Sequence, residues 1–178
     1  SKTEYGWHVA RKSKVGKSSK ADDATVKKLN QGINELFPTD IGGLVVINDN
    51  IVGSTGAKLV NDVRGNEYIM KKLDKAKNPK GSAEHIRSEY MANMLYNILG
   101  QKTPDYELYN ADSDTDVTLL SRFIPGTRNP NSNDFAKMGE GFIADVLLAN
   151  WDVYQNDNCL IDAGGNVIRV DNVGSLFY

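Results

Sequence analysis

The segment Asn150 to Asp162, NWDVYQNDNCLID, sets short carboxylates and amides between an apolar helical pattern and an apolar strand pattern. Asp152 precedes Asn158 by six residues, and Asn158 precedes Asp171 by thirteen, across the Ala163-Gly164-Gly165-Asn166 turn. Oxygen donors on the two arms of one short hairpin can converge on Mg2+, which takes hard oxygen ligands and commonly keeps waters. An acid just ahead of such a pair is suited to orient or deprotonate an acceptor hydroxyl. Such a set would suit phosphotransfer, which also needs a cation facing the metal ligands and a place for phosphate oxygens.

Three upstream stretches supply those parts. In VGSTGAKLV, Gly53, Ser54, Thr55 and Gly56 form a glycine turn between strand patterns. Such a turn lets backbone N–H groups approach phosphate oxygens with no Cβ in the way, although plain hairpin turns look alike. In EYIMKKL an apolar strand ends in Lys71 and Lys72. Strand alternation sends Lys71 to the same face as Ile69 and Lys72 to the opposite one. A lysine held over phosphate needs a counter-charge on a neighbouring helix, and SAEHIRSEYMANMLYNILG offers Glu84 and Glu89. Glu89, beside Tyr90 and one turn from Ile86, lies nearer the apolar side and is preferred; Glu84 is in the first turn, where it suits the helix dipole.

The elements that must carry these residues follow from periodicity. A helix is expected over Ala24 to Phe37, with Val26, Leu29, Ile33 and Leu36 on one face and Pro38 after it. Strands are expected in GGLVVINDN, on both sides of the glycine turn in IVGSTGAKLVND, and in VRGNEYIMKKL. Ser82 opens a helix from Ala83 to Leu99, with Ile86, Tyr90, Met94 and Ile98 at helical spacing, and Gly100 stops it. TPDYELYNADSDTDVTLLSRFI predicts two antiparallel strands around an acidic turn. Phe135 to Asn150 is expected to be mostly helix, with Phe142, Ile143, Val146 and Leu147 as its buried side. CLID and VIRVDN predict a short hairpin. The order is that of an α+β fold and not of an alternating parallel sheet.

Other signals fail on spacing. Gly16-Lys17-Ser18 lacks the glycine a Walker loop needs five residues before Gly16, where Arg11 stands. DSDTD at Asp112 to Asp116 would put Val117 at the EF-hand turn glycine and Phe123 at its bidentate acid. His8, His85 and Cys159 have no zinc-ligand spacing. The single Cys159 excludes an intrachain disulfide and favours a reducing compartment. A net charge of −2 gives no general attraction to nucleic acid or membranes. No apolar run approaches the ~20 residues of a membrane span. Ser1 to Lys20 has no apolar centre and does not resemble a signal peptide. Residues 1–30 carry eight basic residues against three acidic ones, a solvated arm or an anion- or partner-binding one.

Taken together, these stretches resemble the protein-kinase-like superfamily, in particular compact bacterial and phage domains of phosphatidylinositol-kinase or HipA type. The resemblance rests on Gly53 to Val60, Lys71, Glu89 to Gly100 and Leu147 to Leu176, within residues 42–178. It implies a two-lobed fold: a basic arm and helix over 1–41, an N-lobe with an antiparallel sheet and one packed helix over about 42–122, and a minimal or truncated C-lobe over about 123–178. It implies ATP and Mg2+ as cofactors. Gly53, Ser54, Thr55, Gly56 and Lys71 would contact the nucleotide, Glu89 would hold Lys71, Asp152 would be the acceptor-side acid, and Asn158 and Asp171 would bind the metal. NWD stands where eukaryotic-type kinases have His-Arg-Asp, which leaves Asp157 open in place of Asp152, and DN replaces Asp-Phe-Gly. The chain ends seven residues past Asp171. The expectation is therefore a small kinase, a fragment of a longer effector or toxin, or a chain completed by a second one. The implied activity is transfer to a protein hydroxyl, in bacterial cytoplasm or, for a secreted effector, host cytosol. The alternatives are an inert kinase-like binding module and a nucleotidyl transferase.

Overall fold

The computed structural model describes residues 32, 35–49, 51, 56–73, 82–155 and 158–176. Their architecture is α+β. Five antiparallel strands form one sheet: β1 (Val45–Asn48), β2 (Lys58–Asn61), β3 (Glu67–Lys72), β4 (Tyr106–Tyr109) and β5 (Thr118–Arg122), in spatial order β1-β2-β3-β5-β4. A separate two-stranded hairpin, β6 (Cys159–Ile161) and β7 (Val167–Arg169), follows two short helices.

The helix α1 (Ala83–Ile98) packs against the sheet. Ser82 caps it, its hydroxyl accepting from the His85 N–H, and Gly100 ends it with a positive φ of 78°. Ile86 and Tyr90 of α1 meet Leu108, Val117 and Leu119 of the β4–β5 arm in one buried cluster. A second cluster joins Phe37, Val60, Tyr68 and Leu120. The Tyr68 hydroxyl donates to the Leu36 carbonyl at 2.9 Å and the Tyr109 hydroxyl to the Pro38 carbonyl at 2.6 Å, so the chain from Leu36 onward is stitched to the sheet.

Three expectations change. Ile51 is not in a strand, the rest of the strand and turn expected in IVGST lies outside the described residues, and β1 pairs with β2, with Val46 opposite Val60. Of the expected helix over Ala24 to Phe37, most lies outside the described residues, and Leu36 is exposed while Phe37 enters the core. The expected helix from Phe135 to Asn150 is two pieces, α2 (Phe135–Gly139) and α3 (Phe142–Leu147). Phe142, Ile143, Val146 and Leu147, expected to be buried, are all exposed, and Ala144, Asp145 and Leu148 face inward. The break is at Gly141, where a Cβ would come within 1.8 Å of the Arg169 guanidinium. Arg169 needs the Asp145 carboxylate, and that demand rotates α3 so that Asp145 and not its larger apolar neighbours points in. No helix among the described residues is long and apolar enough to cross a membrane.

Candidate functional site

Lys71 is the centre of the site. In β3, Tyr68 and Met70 pair opposite Arg122 and Leu120 of β5, and alternation puts Ile69 and Lys71 on the wall of one cavity of about 440 Å³. Lys72 faces the other way, exposed, and pairs with Asp116 beyond the end of β3. The Lys71 ammonium is buried. It donates to both Glu89 oxygens, at 2.7 and 2.8 Å, and to Asp171 Oδ1 at 2.6 Å. Three segments far apart in the chain therefore meet at one charge: strand β3, helix α1 and the turn after β7.

Glu89 is buried and Glu84 is exposed, ion-paired with Arg87 one turn along. Burial works against the charge on Lys71, but Glu89 first and Asp171 second outweigh it, so the ammonium is held above its ordinary pKa. Burial pushes the Glu89 carboxyl upward against the pull of Lys71. Asp171 has a left-handed backbone, φ 50° and ψ 52°, which is uncommon for a residue with a Cβ. Such a conformation persists only when its surroundings impose it.

The hairpin register places Asn158 directly before Cys159, the partner of Arg169, so Asn158 and Asp171 flank the open end of β6–β7. The Val170 N–H donates to the Asn158 carbonyl at 2.9 Å, closing that end. The Asn158 side-chain amide donates to the Asp152 carbonyl at 3.0 Å, which ties the NWD turn to the hairpin. Asp152 is not on the cavity wall. Its carboxylate lies against Gly174, where a Cβ would sit 3.2 Å from Oδ1, and that Oδ1 is buried without a hydrogen-bond partner among the described residues. Gly53, Ser54, Thr55 and the alternative acid Asp157 lie outside the described residues; Gly56 has φ 68°, the conformation that glycine permits without strain.

Among the described residues no three Asp, Glu, His or Cys side chains converge as a metal cage. Mg2+ does not require one: it is commonly held by one or two carboxylates, waters and substrate phosphates. Asp171 and Asn158 carry hard oxygens at the open end of the hairpin, and the Asp152 Oδ1 is buried without a hydrogen-bond partner among the described residues.

The remaining cavity wall is largely apolar, with Phe123, Ile124, Leu160, Ile168 and Val170, and its polar residues are Asn93 of α1, Ser121, Arg122 and Thr127. Sequence reasoning missed what lies beneath. Asn93 and Tyr96 follow Glu89 at helical spacing, and all three are buried. They begin a polar network through Asn150, Asn172, Asp145 and Arg169. The available signal was an arginine in the three-residue strand VIR and a stripe of polar residues on α1 too close to the core to be solvated.

No protein-family model matches the chain, and a search of curated proteins found no match.

Proposed function

We propose that the chain is an ATP- and Mg2+-dependent phosphotransferase with a protein-kinase-like fold, acting on a protein hydroxyl. The observation that carries this reading is the buried Lys71 ammonium bridging Glu89 and Asp171 on the wall of a cavity. A lysine fixed by a buried carboxylate, with a second carboxylate within reach, is what phosphoryl transfer asks of a protein: positioned charge and little covalent chemistry.

In this reading Glu89 keeps Lys71 charged and pointed into the cavity, and Lys71 takes nucleotide phosphate oxygens. Asp171 and Asn158 would hold the metal. Bound Mg2+ would neutralise phosphate charge and fix its orientation. Asp152 would orient the acceptor hydroxyl; its Oδ1 has no hydrogen-bond partner among the described residues. Arg169, Tyr96 and the Asn93–Asn172–Asn150 set hold the hairpin against α1.

A second reading has its own support. Lys71 closes directly on Asp171, and Asp152 stands off the cavity wall. Both suit a kinase-like module that binds nucleotide or a partner without turnover.

The test is transfer of label from γ-labelled ATP with Mg2+, to the chain itself or to lysate proteins, with Asp171→Ala as control. Transfer that is lost in the variant supports the phosphotransferase. Nucleotide binding without transfer supports the inert module. An AMP adduct found by mass spectrometry would replace phosphoryl transfer with nucleotidyl transfer.

A further inference from the structure

Asp171 supplies the carboxylate that meets Lys71, and although Asp tolerates the left-handed region better than most residues with a Cβ, that tolerance alone does not fix it there. The next residue does. Asn172 has no exposed surface and begins the 3-10 turn Asn172–Gly174. Its amide is used at both ends. Nδ2 donates to Asn93 Oδ1 at 2.7 Å, and Oδ1 accepts from Asn150 Nδ2 at 3.0 Å. Asn150 also donates to the Tyr96 hydroxyl at 2.9 Å, which in turn donates to Asp145, the partner of Arg169.

Asn93 lies one helical turn beyond Glu89 on the same face of α1. The same helix therefore grips the site twice: through Glu89 on Lys71, and through Asn93 on the residue next to Asp171. We propose that Asn172 is the positioning residue for Asp171. Its amide clamp to Asn93 and Asn150 holds Asp171 in its left-handed conformation, so that Lys71, Glu89 and Asp171 stay aligned as one unit. An alanine at 172 would leave buried partners unmatched on both sides and free the Asp171 backbone to relax. In its catalytic consequence the proposal rests on the phosphotransferase reading; in its structural content it does not.

Two measurements on the full chain separate these. The first is a double-mutant cycle of Asn93→Ala with Asp171→Asn, read as the unfolding equilibrium constant in urea. Asn93 bonds the residue next to Asp171, so the double variant is expected to lose at least about fivefold less than the product of the two single losses. A product matched within about twofold would make the amide clamp ordinary packing and overturn the proposal. The second is the Mg2+ concentration giving half-maximal ATP turnover. Asn172→Ala, or Asn93→Ala should the first variant not fold, is expected to raise it about tenfold while KM for ATP at saturating Mg2+ moves less than about threefold. Equal Mg2+ dependence in variant and parent, with only the active fraction reduced, would also overturn it. Should the parent show no turnover at all, the phosphotransferase reading falls, and the stability cycle alone decides the positioning role.

Discussion

Lys71 and Lys72 are neighbours in one strand with opposite fates, and the difference is energetic as well as geometric. The Lys71 and Glu89 side chains are 8% and 3% exposed, whereas those of Lys72 and Asp116 are 44% and 50% exposed. Breaking a buried pair strands the other charge in a medium that cannot solvate it, which costs about 3–5 kcal/mol. An exposed pair is worth about 0–1 kcal/mol. Urea unfolding is therefore expected to find Lys71→Met destabilised by about 3 kcal/mol and Lys72→Met by less than about 1 kcal/mol. A similar loss for both would mean that Lys71 is solvated. Cys159 gives a second check at this scale. It is buried, and burial pushes its thiol up to about 11. Alkylation at pH 8 is expected to keep pace with global unfolding; rapid labelling of the folded chain would contradict the packing of β6.

The elements show where pattern reasoning works and where it stops. Alternation in EYIMKKL put Lys71 and Ile69 on one face, and helical spacing chose Glu89 over Glu84; both are local rules applied to regular elements, and the structure has both residues so. In α3 the same logic chose the bulky apolar side, and the structure exposes it. The deciding partner, Arg169, lies 24 residues away, beyond any local periodicity. Its guanidinium donates to both Asp145 oxygens, to Gln101 and to the Met138 carbonyl, and lies over the Tyr96 ring. Gly141 is the space this group occupies. Gly141→Ala is expected to cost at least about 2 kcal/mol, as overpacking does, and to unsettle the hairpin. Gly139→Ala, with open space at its Cβ position, is expected to change stability by less than about 1 kcal/mol. Thermal unfolding of the pair distinguishes the close approach from a general cost of losing glycine.

Across the whole molecule, carboxylates locked into turns and ion pairs set the acid limit. Hydrogen bonds from Arg128 hold Asp134 at about 2, below its ordinary 3.8. Asp62, capped by Asn66 and Arg64 against the cost of burial, and Asp162, capped by Asn166, are also depressed. A depressed carboxyl stabilises the fold above its unfolded value and loses that contribution as pH falls through its folded one. Stability is thus expected to be level down to about pH 4 and to fall toward pH 2, with Asp134→Asn flattening the slope in that window; an unchanged slope would remove Asp134 from the account. At this scale the sheet and the β6–β7 hairpin matter because they bring Lys71 and Asp171 together across 100 residues of chain. The most direct test of that meeting is a calorimetric titration of ATP with and without Mg2+, on the parent and on Asp171→Asn. The site described here predicts that Mg2+ tightens ATP binding in the parent and that the variant loses this gain. ATP binding that is absent, or equally tight in both chains at every Mg2+ concentration, would contradict a metal–phosphate site at Lys71 and Asp171.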